Sequence, residues 1–310
     1  MSRLVWVYWL GMGLVAWLFP SALPLLTQML IMGLFAVSLD IALGYAGILT
    51  VGHAAFFGVG AYTAGLLSVH GWSEPISALF AAAAVCTVFG YLLGFLVVRG
   101  ADLSRLMITV AVCLLLSEAA RRFSSVTGGA DGLQGIMPLP VLGYFEFDLF
   151  GRTAFGYAFV VTFILFFAMW RMVRSPFGVA LSGIHQNPRR MRALGTPVPA
   201  RLRLAFAMSA GMAGVAGALL AQTTQFVGVD TLSFERSADV LIMLVLGGTG
   251  QLTGGLLGAV VYTFMHDQLA ALSPQYWMMG VGFVLIIVAL SGGGGLLGLY
   301  RRWLGARGVA

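Results

Sequence analysis

Lysine is absent from this 310-residue chain, and all 17 of its basic residues are arginine. That absence removes the P-loop, whose lysine contacts nucleotide phosphates, and any lysine Schiff base. Charge is scarce as well: charged residues make up 9% of the sequence and hydrophobic ones 60%, against about 25% and about 45–50% in an ordinary soluble domain. So few charges cannot clothe a water-exposed surface, which excludes a soluble enzyme. Cysteine is nearly missing. Cys86 and Cys113 lie inside apolar runs, are too few for a disulfide framework or a zinc site, and read as packing residues. No Gly-x-Ser-x-Gly elbow and no His-Glu-x-x-His pair occurs, so a membrane-embedded hydrolase has no recognisable nucleophile or zinc pair. The net charge of +6 suits basic cytoplasmic loops better than nucleic acid in so apolar a chain, and no nucleic-acid partner is expected.

What is present is long apolar sequence. Segments fall near 4–19, 25–43, 53–70, 76–98, 105–121, 155–173, 203–226, 238–250, 254–271 and 276–292. With about 20 residues per spanning helix, they predict a single all-α polytopic membrane domain over 1–310, with about eight to ten transmembrane segments. The first follows Arg3 in the manner of a signal peptide, but Pro20-Ser21-Ala22 is a poor cleavage site, so it is read as an uncleaved anchor. Segment 238–250 is too short to span alone unless its helix is broken.

Arginine placement sets the orientation. Seven arginines lie in 171–203 and three more (Arg301, Arg302, Arg307) in the tail, and basic loops stay in the cytoplasm. An even number of crossings then separates them, so 247–255 separates two short helices rather than joining one span. A re-entrant hairpin gives the same parity. Counting back places the N-terminus inside too, with 13 arginines inside and only Arg121, Arg122, Arg152 and Arg236 outside.

The inner loop, about 174–203, carries two cap-plus-proline signals. Ser175-Pro176-Phe177-Gly178 opens a helix to about 186, with Phe177, Ala180, Leu181 and Ile184 at helical spacing. Asn187-Pro188 opens another to Leu194, and Gly195 supplies its C-terminal turn. Such a knob fits either a docking element for a cytosolic partner or a solvated connector. The outer loop, about 122–153, holds the turn-rich Thr127-Gly128-Gly129-Ala130-Asp131-Gly132, which is either a partner surface or a plain turn.

A second pattern is paired. Gly44-Tyr45-Ala46-Gly47-Ile48-Leu49-Thr50-Val51-Gly52 and Gly247-Gly248-Thr249-Gly250-Gln251-Leu252-Thr253-Gly254-Gly255 agree at five of nine positions. Each lies between two apolar helices. In transporters, broken helices at corresponding places in two halves point to the substrate path. Small residues equally permit tight helix packing, as in the pairs Gly90/Gly94 and Gly254/Gly258, and the spacing leaves both readings open. The candidate path residues are Gly44, Gly47, Thr50, Gly52, His53, Gly247, Gly250, Thr253 and Gly255. Ionisable residues in or beside spans are Asp40, His53, Glu118, Asp239, His266 and Asp267, functional candidates because burial is costly. His53 follows the first glycine break and is the foremost of them, with a structural hydrogen bond as the other reading. Asp40 reads as a helix cap or a partner to a neighbouring helix. Several facing carboxylates, as a proton relay needs, are not evident.

At this point the residues resemble a known family. The run from Gly44 to Tyr62, Thr127–Leu133, Ser175–Gly178 with the loop to Gly195, and Val245–Ala259 are similar, in the right order over roughly 30–295, to the LivM-type permease subunits of branched-chain amino acid ABC importers. The resemblance implies a type II importer-like permease in the bacterial inner membrane. Its partners would be a second, related permease subunit in a heterodimer, two cytosolic ABC ATPases and a periplasmic or extracellular solute-binding protein, with lipid around them. ATP and Mg would bind in the ATPases; this chain would hold no cofactor and no metal and would catalyse no reaction. The resemblance makes the inner loop the coupling element gripped by an ATPase, through Ser175, Pro176, Phe177, Gly178, Ala180, Ile184, Asn187, Pro188, Leu194 and Gly195. Where similar proteins carry acidic residues, this loop reads His185-Gln186-Asn187-Pro188-Arg189-Arg190-Met191-Arg192, which implies a differently charged ATPase surface. A urea or amide permease of the same family and an ion-coupled secondary transporter are the alternatives. A cysteine at Arg189→Cys should react with a membrane-impermeant maleimide in inverted vesicles and not in intact cells; the reverse pattern would overturn this topology.

Overall fold

The computed structural model describes residues 3–148, 151–272, 279–280, 282–283, 286 and 294–298. The tail arginines and most of segment 276–292 lie outside these residues. The order is α1 (Arg3–Leu18), α2 (Leu23–Asp40), α3 (Ala54–Val69), α4 (Pro75–Val97), α5 (Asp102–Arg122), α6 (Ser124–Thr127), α7 (Arg152–Val173), α8 (Pro176–Gln186), α9 (Pro188–Ala193), α10 (Val198–Thr224), α11 (Phe234–Gly247) and α12 (Leu252–Leu272). Five helical segments are long and apolar enough to cross a membrane: Pro20–Tyr45, which takes in α2, and α4, α5, α7 and α10. α11 and α12 together make a further candidate, bent by 114° at their break. α1 and α3 are shorter apolar helices. The nine apolar segments up to residue 271 are therefore all helical, and no strand longer than an isolated bridge occurs among the described residues. Proline in the first turn, which lacks an N–H that would go unpaired there anyway, starts α2, α4, α8, α9 and α10.

Burial sorts these helices into layers. Of the span-length window, 78% is buried in Pro20–Tyr45 and 83% in α10, but only 17% in α5. α2 and α10 are the inside, and α1, α4, α5 and α7 turn leucine, phenylalanine and tryptophan outward, as at Leu10, Trp17, Phe80, Leu115 and Phe167. Lipid tails are as apolar as leucine, so association rests on close packing through small residues. The α10 run from Ala205 to Ala218 supplies them: Gly214 lies against Gly60 of α3, and Gly217 against the Phe57 carbonyl. Both cysteines are buried and unpaired, with the Cys86 thiol on the Phe56 carbonyl at 3.3 Å and the Cys113 thiol on the Leu232 carbonyl at 3.0 Å. Tyr157 Oη donates to Gln222 Oε1 at 2.8 Å and Gln222 Nε2 to the Pro75 carbonyl at 2.9 Å, tying α7, α10 and α4 together.

Two local expectations are corrected. The break at 248–251 separates a 14-residue α11 from a 21-residue α12, so only one of the two helices is short. The Ser175 hydroxyl does not cap α8; it donates back to the Met172 carbonyl at 2.6 Å and finishes α7 instead. Gly217→Leu places a side chain on the Phe57 backbone and should destabilise the detergent-solubilised protein by about 3 kcal/mol or more. Gly11→Leu, where nothing lies within 4 Å, should leave the thermal midpoint unchanged.

Candidate functional site

The two glycine breaks meet. α2 ends in a wider helical turn, Ile41–Tyr45, and the chain then runs without regular structure to α3. Within this break the Ala46 amide donates to the Ile41 carbonyl at 3.1 Å and the Ile48 amide to the Ala42 carbonyl at 2.7 Å, and the Val51 amide reaches the Thr109 hydroxyl of α5 at 3.4 Å, which pairs part of the backbone that the break frees. Gly44 faces Gly250 of the second break so closely that a side chain would strike the Gly250 backbone and the Asp40 carboxylate. Asp40, fully buried, accepts the Gly250 N–H on Oδ1 at 2.7 Å. Its Oδ2 has no hydrogen-bond partner among the described residues, and neither has the Gln251 side-chain oxygen. Gly250 has φ +74° and Gly47 φ +68°, backbone conformations that cost a β-carbon-bearing residue energy. Asp40 thus clasps one break to the other across 210 positions of sequence.

The inner-loop elbow formed by α8 and α9 lies beside this clasp, against Gly47. α8 buries Gly178, Leu181 and Ile184. Gly178 lies against the Val173 carbonyl at the end of α7, so α8 is stitched to the helix before it. Phe177 and Ala180 are half-buried beside them. At the far end of α8 the His185 ring covers Gly47, where a β-carbon would fall 3.2 Å from its Cγ. Asn187 Oδ1 accepts the Arg190 amide at 3.0 Å and caps α9, which begins at Pro188. Gly195 turns the chain with φ +82° after an exposed Leu194. The guanidinium groups of Arg174, Arg201 and Arg203 lie over Trp170, Phe177 and Phe95. Arg189, Arg190 and Arg192 are exposed and join no ion pair among the described residues.

The remaining sequence candidates divide. Gly247 packs on Gly254 within the second break, and Gly255 lies against Ala36 and Val37 of α2. Thr253 is half-buried with no hydrogen bond to another described group. Gly52 touches the Thr109 carbonyl of α5, and the buried Thr50 hydroxyl has no partner among the described residues. His53 is fully buried, stacked on Phe35 at 5.6 Å, with Nε2 3.0 Å from the Ser38 hydroxyl and 3.4 Å from that of Ser209. Ser209 also donates to the Ser38 carbonyl at 2.5 Å, so His53 joins α2, α3 and α10. The Ala54 amide that opens α3 is received by Ser237 of α11 at 2.8 Å. Asp40 and His185 are the residues that the glycine pattern passes over. The signal for Asp40 is a carboxylate in an otherwise unbroken apolar run, four residues before Gly44. No group of three or more His, Cys, Asp or Glu residues placed to hold a metal occurs among the described residues.

Such an arrangement, helices packed through small residues around two backbone breaks, is that of a polytopic membrane protein. Over residues 21–290 the chain matches the family described as branched-chain amino acid transport system, permease component, and it belongs to that family. It is 30% identical to the high-affinity branched-chain amino acid transport system permease protein LivM of Escherichia coli K12, over 94% of this chain and 74% of that protein. To LivH of the same organism it is 24% identical, over 83% and 87% of the two chains. To the autoinducer 2 import system permease protein LsrC of Enterobacter sp. strain 638 it is 28% identical, over 86% and 78%. No solved structure matches the chain. Asp40→Ala removes the acceptor and leaves the Gly250 N–H buried and unpaired, which should cost about 1–3 kcal/mol of stability in detergent. Asp40→Asn keeps an oxygen there and should recover most of it; equal losses would remove the clasp from this account.

Proposed function

We propose that this chain is one permease subunit of an ATP-driven importer of branched-chain or chemically related amino acids in a bacterial inner membrane. A second, related permease completes the translocation path, two cytosolic ATPases holding ATP and Mg supply the force, and an external solute-binding protein delivers the cargo. This chain performs no covalent chemistry. The observation that carries the reading is the seat of α8 on Gly47, beside the Asp40–Gly250 clasp. The relatives named for branched-chain amino acid transport support the solute class.

The geometry suggests how force would travel. Because Gly178 packs on the end of α7 and His185 on Gly47, a push on α8 bears on the wide turn Ile41–Tyr45 and through it on Asp40. A single hydrogen bond such as the one to Gly250 is worth roughly 0.5–3 kcal/mol, small enough to break and re-form in a cycle. The exposed Arg189, Arg190 and Arg192 offer a basic face, so the docking surface of the cognate ATPase would be acidic. α5, with only Thr109, Cys113 and Ala120 buried, is the open face that the second permease would cover.

The test is uptake of labelled leucine by cells carrying the complete transporter. Gly178→Leu, which meets the Val173 backbone, and Gly195→Val, which meets the positive φ, should lower uptake about tenfold or more while membrane insertion persists; unchanged uptake would count against the coupling role. Uptake should stop on ATP depletion. Uptake that survives ATP depletion and collapses with the proton gradient would instead make the chain an ion-coupled transporter.

A further inference from the structure

A cavity of about 790 Å³ opens between α4 and α7 on the half of the molecule away from α8. Its walls are aliphatic and aromatic, from Leu79 and Phe80 of α4, Val160, Ile164 and Leu165 of α7, and Val215 of α10 behind them. Val141, Leu142 and Phe145 of the long loop roof one end, and there Arg152 and Thr153 supply the polar groups. Tyr157 lines the cavity, but its hydroxyl is spent on Gln222, which in turn holds the Pro75 carbonyl.

An amino-acid zwitterion needs partners for both its carboxylate and its ammonium group, and this cavity has none along its depth, so it does not suit the transported solute. Its dimensions suit something else. From Arg152 to Leu165 the groove follows α7 for about 20 Å at about 1.5 Å per residue, about two thirds of a hydrocarbon layer about 30 Å thick. Arg152 lies at the loop end of the groove, exposed and in no ion pair among the described residues. Beside it the Asp148 carboxylate is held in place by the Thr153 amide at 3.2 Å. A cation that lines the mouth of an apolar groove, and an anion hydrogen-bonded to the lining Thr153, match a phosphate and an ammonium group over an acyl chain. We infer that the α4–α7 groove binds the acyl chain of an outer-leaflet amino-phospholipid of the phosphoethanolamine type, with its phosphate on Arg152 and its ammonium near Asp148. The lipid acts as a wedge between α4 and α7, and the inference is independent of the solute carried.

Gly156 makes the test clean, because it lines the groove and nothing lies within 4 Å of where its β-carbon would stand. Gly156→Phe therefore starts its side chain in open space on the groove wall. The complete protein in liposomes is exposed to a phosphatidylethanolamine bearing a photoactivatable diazirine on one acyl chain, and cross-linked peptides are mapped. Labelling should concentrate on α4 and α7, fall to the level of α1 in Gly156→Phe, and fall about fivefold in Arg152→Gln. A phosphatidylglycerol probe, which lacks the ammonium, should label the groove less. Equal labelling of α1 and α4–α7, or labelling indifferent to Gly156→Phe, would reduce the groove to ordinary boundary lipid and overturn the inference. Cross-linking of this face to a second protein subunit would do the same.

Discussion

A backbone N–H or C=O left unpaired in hydrocarbon costs several kcal/mol, so a membrane chain that breaks a helix must say where the freed groups go. Here the two breaks answer one another. The first closes two backbone hydrogen bonds within 41–48, and the second hands the Gly250 N–H to a carboxylate from the first. Gly44 and Gly250 permit this because neither has a side chain to hold the backbones apart. The rest of the architecture is arranged around that meeting: α12 lies on α2 through Gly255, the elbow helix α8 lies beneath it through His185, and α10 secures the far side through Ser209 and its small residues.

The same constraint explains the contrast between the inside and the outside. α2 and α10 are buried almost throughout, α10 through its run of small residues and α2 between α10, α7 and α12, whereas α5 and α1 present leucine and tryptophan to their surroundings. Polar side chains in the interior are few and serve as crosslinks. His53 with Ser38 and Ser209, Ser237 with the start of α3, and Gln222 with Tyr157 each join elements distant in sequence.

Much of this was legible in the residues. Apolar segment length placed the helices to within a few residues, because a run near 20 residues long has one stable answer in a bilayer. The cap-and-proline pairs at 175–176 and 187–188 marked α8 and α9, since proline suits only the first turn of a helix. The glycine pairing marked both breaks. What the pattern did not carry was that Gly44 touches Gly250, that Asp40 bridges them, or that His185 covers Gly47. Those are contacts between residues far apart in the chain, and local spacing carries no term for them. Ser175 shows the limit at short range too: its hydroxyl had two partners within reach and took the carbonyl of the preceding helix.

Composition and periodicity by themselves determined that the chain is a lipid-embedded helical bundle without lysine-dependent chemistry of its own, where its helices start and stop, and that two glycine-rich breaks and a basic elbow interrupt them. Those properties depend on the transfer of side chains from water and on the conformations each residue allows, and both can be read one segment at a time. Tertiary structure alone decided which break faces which, which carboxylate joins them and what the elbow presses on. Close approach of two backbones depends on the crossing of helices that only the assembled fold brings together.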